Sequence, residues 1–228
     1  MKQGRTLPEL AGELARQNGA KVDTITRQDV LEMRLEEATT GNVPALYIPA
    51  HGVSPIRPIA HGQIASRLGI PKRYYDLMMA DQPELLLHNV NTWFRSNSQR
   101  RMVRLLDGNA RAFLSDSCQR IENFDVAEVA LGVLGEMATD EWRVVSCEVT
   151  EQRLYIKVVF PKIQAEVRRV GDVVQSGVII RNSEIGLGAF DVTGFAEVLA
   201  CTNGMVIPDP VFRRAPIGGR NGGGEDDS

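Results

Sequence analysis

Several features that mark common classes of protein are scarce in this chain of 228 residues. Its three cysteines, Cys118, Cys147 and Cys201, are far apart and show no Cys-x-x-Cys spacing. An odd number of scattered cysteines predicts neither a disulfide framework nor a zinc site. No stretch approaches the roughly 18 uninterrupted apolar residues that a membrane span requires, and no apolar segment follows the first residues. We therefore expect a soluble cytoplasmic protein that does not bind a membrane.

Complete catalytic and metal-binding motifs are also missing. The three histidines, His51, His61 and His88, are isolated from one another, so no metal-ligand spacing occurs. Ser115 lacks the glycine-flanked turn that exposes a nucleophile, and Gly186-Leu-Gly188 is not followed by the Lys-Ser/Thr of a phosphate-binding loop. We expect no cofactor and no catalytic turnover. An enzyme that uses Ser115-Asp116 with a histidine is the weaker alternative.

The charge of the chain is unevenly distributed. A net charge of -3 and a pI near 5.7 argue against a protein that coats duplex DNA through bulk positive charge. Residues 95–120, however, are rich in arginine and contain only two acidic residues, Asp107 and Asp116. Any role in binding a polyanion must therefore come from a local basic patch.

The first half of the chain has mainly helical patterns. Thr6-Leu-Pro-Glu9 has the spacing of a capping box, which predicts a short first helix. Residues 30–37 and 45–48 have the composition of paired strands. Further helical patterns cover residues 54–67, the segment after Pro71 and the segment after Pro83. The first two resemble a helix-turn-helix, but an ordinary helical hairpin is the favoured interpretation, because base-reading side chains are missing.

The second half has mainly strand patterns. Residues 101–116 alternate around Asp107-Gly-Asn109, which is typical of a β-hairpin. An apolar-striped helix capped by Asp125 follows, and residues 142–160 predict a second hairpin. Two short strands at 177–181 and 188–192 precede a last helix from Thr193 to Thr202.

These patterns predict an α+β fold in which helices back a central antiparallel sheet, in the order hairpin, helix, strands, helix. We expect a mainly helical N-terminal portion over residues 1–98 and the α+β core over 99–212. Residues 213–228 are rich in glycine and acidic at the end, and we expect them to form a disordered tail.

Two groups of motifs resemble a known family. Arg111-Ala-Phe-Leu-Ser-Asp116 with Glu122-Asn123, and Arg181-Asn-Ser-Glu184 with Cys201-Thr-Asn-Gly-Met205, are similar to signatures of the phage/plasmid-like proteins called domain of unknown function 932. Leu68-Gly-Ile-Pro71 is similar too, and the resemblance covers residues 59–205. It implies a protein carried by phages, plasmids or bacterial genomes, with no assigned activity.

The order of elements also resembles the core of the Rad-fifty-two superfamily of single-strand annealing proteins, which act as oligomeric rings. This likeness is one of topology, so it assigns no residue. It implies that single-stranded nucleic acid is the partner and that the chain forms a homo-oligomer.

We therefore predict single-stranded DNA binding or annealing through an open, arginine-rich sheet face, which needs basic groups for phosphates and an aromatic group for bases. The candidate residues are Arg100, Arg101, Arg104, Arg111, Arg120, Tyr155, Lys157, Lys162, Arg168, Arg169 and Arg181. A competing interpretation is that these arginines are solvated or paired with Glu148, Glu151 and Glu166. The alternative function is a protein-interaction module that binds a host or phage replication or recombination protein.

Overall fold

The computed structural model describes residues 4–38, 41–166, 173–198 and 206–214. Within these ranges the chain forms helices and antiparallel strands, which confirms the predicted α+β class. The helices are α1 (Leu7–Ala20), α2 (Pro58–Arg67), α3 (Lys72–Asp81), α4 (Pro83–Arg95) and α5 (Asn123–Gly135). The strands are β1 (Lys21–Arg27), β2 (Glu32–Ala38), β3 (Gly41–Ile48), β4 (Gly52–Pro55), β5 (Arg100–Leu106), β6 (Asn109–Ser115), β7 (Arg143–Val149), β8 (Leu154–Glu166), β9 (Val173–Asn182), β10 (Phe190–Val198) and β11 (Val206–Arg214).

The described strands form three sheets rather than the one central sheet that we expected. Their orders are β1-β5-β6, β2-β3-β4 and β11-β10-β9-β8-β7. Strand β1 pairs with β5 along its whole length, from Lys21 opposite Leu106 to Arg27 opposite Arg100. A hydrogen-bonded sheet therefore crosses the boundary that the sequence pattern placed at residue 98.

Local signals in the sequence account for several elements. The capping box of α1 is confirmed, because Thr6 Oγ1 accepts from the Glu9 backbone and Glu9 Oε2 accepts from the Thr6 backbone at 2.8 Å. The hairpin between β5 and β6 turns at Asp107 and Gly108, which have φ angles of 50° and 73°. Two consecutive positive φ values are typical of the tight turn that Asp-Gly favours.

The helices cover two separate cores. Phe94 of α4 stacks on Phe113 of β6 in a core that includes the β2-β3-β4 sheet and α2. Leu10 and Leu14 of α1 pack with α5 on one face of the five-stranded sheet, against residues such as Ile156. The opposite face of that sheet is not part of either core. Among the described helices none is long and apolar enough to cross a membrane.

The structure corrects several boundaries. Helix α5 begins at Asn123 with Glu122 at the N-cap position, so Asp125 lies in its first turn and does not cap it. Helix α2 begins at Pro58, and part of the helical pattern before it forms β4. The prediction of a last helix is wrong over Thr193–Val198, because these residues belong to β10 and pair with β9. Pairing with a neighbouring strand outweighs a short helical pattern in a segment that contains Val192, Thr193 and Phe195. Arg213 and Arg214 of the expected tail lie in β11, and residues 215–228 fall outside the described ranges.

Candidate nucleic-acid interface

Three arginines of the first hairpin, Arg101, Arg104 and Arg111, are buried rather than presented on an open surface. The side chains of Arg104 and Arg111 are 2% and 1% exposed. Arg104 binds Asp23 Oδ1 at 2.9 Å and also contacts the Glu122 carboxylate, while Arg111 Nη2 binds Glu184 Oε2 at 2.7 Å. The expectation that these arginines project from an open sheet face is therefore wrong.

A β-bulge explains why Arg111 is buried beside Arg104. In the register of β5 and β6, Arg104 lies opposite Ala112 but Leu105 lies opposite Ala110, so Arg111 is the extra residue. A bulge of this kind breaks the strict alternation of side chains and redirects one of them. Ala110 consequently packs in the core under α4, whereas Ala112 packs on the other side of the sheet.

Glu184 lies at the centre of this buried group of charges. Its carboxylate accepts from Arg111 at 2.7 Å, from Lys21 Nζ at 2.5 Å and from the Asn123 backbone at 2.7 Å. Burial opposes its ionisation, but the charges of Arg111 and Lys21 and the hydrogen bonds outweigh burial and lower its pKa to about 2. We call Lys21, Asp23, Arg104, Arg111, Glu122 and Glu184 the buried ion cluster.

The buried ion cluster joins segments that are distant in sequence. Arg111, Glu122 and Glu184 come from three of the motifs that resemble the phage/plasmid-like family. Three cations face three carboxylates, so charges are balanced within the cluster. Such an arrangement holds β1, β5, β6, the start of α5 and the turn after β9 together, and its cations are already engaged with carboxylates.

The other candidate arginines in and just after this hairpin lie apart from the buried ion cluster or at its edge. Arg101 is 6% exposed, and its guanidinium donates to the side-chain oxygens of Gln28 and Gln99, each at 2.7 Å. Burial and the charge of Arg67 lower its pKa. Arg100 is exposed, and Arg120 is exposed at 3.7 Å from Asp23.

Three remaining candidates do share one face of the five-stranded sheet. The register places Tyr155 opposite Arg181, and Lys157 opposite Ile179. Directly opposite residues of an antiparallel pair project to the same side, and so do residues two apart in a strand. Tyr155, Lys157 and Arg181 therefore lie on the face that is turned away from α1 and α5.

Cationic and aromatic groups alternate on this face. Lys157 Nζ lies 4.6 Å from the centroid of the Phe195 ring, and Arg181 Cζ lies 6.0 Å from that of Tyr155. Tyr155 packs against Val159, Ile179 and Phe195, a cluster that includes only residues of this sheet. We call Tyr155, Lys157, Arg181 and Phe195 the cation–aromatic face.

Two carboxylates border the cation–aromatic face. Asp191 accepts from Arg181 Nη1 at 2.9 Å, and Glu148, opposite Tyr155 in the register, binds Arg5 at 2.7 Å. The Arg181 side chain is nevertheless about half exposed, so its pair with Asp191 is screened by water and contributes little.

A cavity of about 230 Å³ opens beside Tyr155 and Arg181. Exposed Arg153 and the turn that contains Leu187 and Gly188 complete its wall. The Asp191 carboxylate lines it too. Basic groups that contact phosphates and aromatic rings that stack on bases are the features of single-strand binding proteins.

The last predicted residues do not add to this face. Lys162 is exposed and binds Asp140 at 2.7 Å, while Arg168 and Arg169 lie outside the described residues. The sequence analysis missed Phe195, because its segment has a helical pattern. The strand pattern places Arg153 on the same face as Tyr155 and Lys157, although Arg153 was not among the candidate binding residues. Glu184 was also missed as the partner of Arg111, since no local pattern links residues so far apart.

Within the described ranges, no group of three or more His, Cys, Asp or Glu side chains is arranged to hold a metal ion. Neither a known family model, nor a curated protein, nor a solved structure matches this chain. The resemblance to the phage/plasmid-like family therefore stays a prediction.

Proposed function

We propose that the protein binds single-stranded nucleic acid across the cation–aromatic face, as a nucleic-acid-handling protein of a phage or plasmid. The observation that carries the proposal is the pairing of Lys157 with Phe195 and of Arg181 with Tyr155 on one sheet face. Cations track phosphates, and the partly buried Tyr155 ring can stack on a base, which requires neither a metal nor a nucleophile. Phe195 is 4% exposed and packs beneath Lys157, so it supports this face rather than contacting a base.

The proposed binding surface lies on β8, β9 and β10 rather than on the first hairpin. Arg101, Arg104 and Arg111 are excluded from it, because they are buried, and the last two are also paired with carboxylates. Exposed Arg153 is added to the residues predicted from the sequence, and Phe195 packs beneath Lys157. Annealing of complementary strands would use the same face in a homo-oligomer.

Fluorescence anisotropy with a labelled single-stranded oligonucleotide tests the proposal. Binding should weaken steeply as salt rises, since contacts with phosphates release counterions. A duplex of the same sequence should bind less tightly, because its bases are not available for stacking. Absence of binding at low salt would contradict the proposal. Sedimentation with and without the oligonucleotide would measure the oligomeric state.

The alternative, a protein-interaction module for a replication or recombination protein, is supported by a different feature. An apolar groove of about 500 Å³ lies between α5 and the five-stranded sheet, lined by residues that include Val126, Met137 and Phe190. Val129 and Val133 of α5 are exposed at its edge. Exposed apolar surface of this kind is typical of protein contacts. This alternative is favoured if no oligonucleotide binds.

A further inference from the structure

A second cavity lies between the β3–β4 hairpin and helices α2 and α3. Its volume is about 340 Å³, which falls within the range of roughly 300–1,000 Å³ that small-molecule sites occupy. Most of its wall is apolar, from Val43, Pro44, Pro55, Ile56, Pro58 and Met79. A small molecule with an apolar body would therefore be enclosed on several sides.

The polar groups that line this cavity carry nitrogen donors. They belong to Arg57, His61, Lys72 and Asn109. Lys72 contacts the carboxylate of Asp76 one turn along α3, and Arg57 Nε lies 3.7 Å from Glu151. Both ion pairs are about half exposed, so each contributes little and an incoming anion can compete with it.

His61 presents a fixed donor to this cavity. The residue is 6% exposed, and its Nδ1 lies 2.8 Å from the hydroxyl oxygen of fully buried Tyr75. Burial and then the charge of Lys72 lower the pKa of His61 to about 4, against a smaller opposing effect of Asp76, so the ring is neutral at pH 7. Burial raises the pKa of Tyr75, which keeps its proton.

The hydrogen bond between these two residues sets the tautomer of His61. A phenol can donate or accept, and we assign Tyr75 as the donor and His61 Nδ1 as the acceptor, because among the described residues the Tyr75 hydroxyl contacts no other acceptor. In a neutral imidazole one nitrogen accepts and the other donates, so Nε2 carries the proton. The ring nitrogen left for a ligand is therefore an N–H donor, and the cations Arg57 and Lys72 line the same cavity.

We propose that this cavity binds a small organic anion, in which an apolar body contacts the proline-rich wall and a carboxylate or phosphate group accepts from His61, Lys72 and Arg57. The apolar wall accounts for the body, and the cations Arg57 and Lys72 with the N–H of His61 account for the charge. The site is separate from the cation–aromatic face and does not depend on nucleic-acid binding.

Three probe molecules test separately whether the apolar body and the anionic group of the ligand are both needed for binding. Benzoate has both the ring and the charge, benzyl alcohol has the ring alone, and inorganic phosphate has the charge alone. Isothermal titration and chemical-shift mapping should show that benzoate binds most tightly and perturbs the His61 ring. The proposal is overturned if benzyl alcohol or phosphate binds as tightly as benzoate, or if none of the three binds at this cavity.

Substitution of single residues tests the donors. Lys72→Met should weaken benzoate binding roughly tenfold, the loss expected for one charge-assisted hydrogen bond. Arg73→Met removes a neighbouring exposed cation of α3 that does not line the cavity, and it should leave benzoate affinity unchanged. Equal losses in both variants would show that only the general charge of the helix matters and would overturn the proposal.

Nitrogen-detected NMR of the His61 ring gives an independent readout. The unsubstituted protein should show a neutral ring protonated at Nε2, with a Nε2 shift that changes when benzoate is added. Tyr75→Phe should let the ring sample the other tautomer and weaken benzoate binding. A ring protonated at Nδ1 in the unsubstituted protein would contradict the arrangement of donors. Oligonucleotide binding should be unchanged by Lys72→Met, which distinguishes a failure here from a failure of the nucleic-acid proposal.

Discussion

Arg111 and Glu184 form an ion pair of 2.7 Å although 73 residues separate them, and their side chains are 1% and 0% exposed. Arg111 reaches this position because it is the extra residue of a β-bulge. Glu184 reaches it from the turn that follows β9. The pair therefore depends on the correct relation between two sheets that fold from different parts of the chain.

Replacing Glu184 with glutamine should destabilise the protein strongly. The change keeps the shape of the side chain but leaves Arg111 and Lys21 without their shared carboxylate, and breaking a buried ion pair costs about 3–5 kcal/mol. Urea denaturation measures the loss. Glu148→Gln is the matched control, because its pair with Arg5 is partly exposed and should contribute less than about 1 kcal/mol. Similar losses in the two variants would contradict a special role for Glu184.

Acid should weaken the fold through the same carboxylate. The pKa of Glu184 is about 2 in the folded protein and near its ordinary value of 4.5 in the unfolded chain, so its contribution to stability is present above pH 4.5. That contribution is lost as the pH falls from 4.5 towards 2, because the unfolded chain binds the proton first. The urea concentration at the midpoint of unfolding should therefore decrease between pH 4.5 and pH 2 when it is measured from pH 7 downward.

Glu13 gives the control for the acid experiment. Hydrogen bonds from Arg16 and then Gln17 hold its pKa at about 2 as well, but it lies at the surface. Glu13→Gln should leave most of the loss of stability in acid unchanged. If the substitution removed that loss, surface carboxylates rather than the buried ion cluster would be responsible.

Local signals made part of the fold predictable from sequence. The Thr6–Glu9 capping box and the Asp107-Gly108 turn depend on residues within four positions of each other, and both are confirmed. The bulge at Arg111 gives no local signal, because strict alternation fits the same residues equally well.

Only part of the candidate site could likewise be predicted from local sequence patterns. Tyr155 and Lys157 alternate with apolar residues within one strand, so their common face could be read from sequence. Phe195 could not be placed, because whether its segment forms a strand depends on pairing with β9. The partner of each buried arginine depends on contacts between segments far apart in the chain, which no short pattern contains.

Gly177→Ala should destabilise the five-stranded sheet. A methyl group at this position would lie 2.5 Å from the carbonyl oxygen of Val158 and would also overlap the Phe195 ring. The backbone oxygen cannot move without disturbing β8, so we expect a loss of about 1–3 kcal/mol. Thermal or urea denaturation measures it.

Gly132→Ala is the control for Gly177→Ala, because here an added methyl group has room. A methyl group at Gly132 of α5 meets no atom within 4 Å. Alanine has a higher helix propensity than glycine, so this substitution should stabilise the protein by about 0.5–1 kcal/mol. Destabilisation by Gly132→Ala would show that the exposed side of α5 is in contact with another surface, such as a second copy of the chain.

Two substitutions on the cation–aromatic face should change nucleic-acid binding in different ways. Tyr155→Ala removes a stacking surface worth about 1–3 kcal/mol per base, so affinity should fall at every salt concentration while the salt dependence is retained. Arg181→Ala removes a phosphate contact, so the slope of log affinity against log salt should become shallower by about 0.7. Arg73→Ala, an exposed arginine on α3, should change neither quantity. If Arg73→Ala reduced the slope as much as Arg181→Ala does, binding would depend on overall charge rather than on this face.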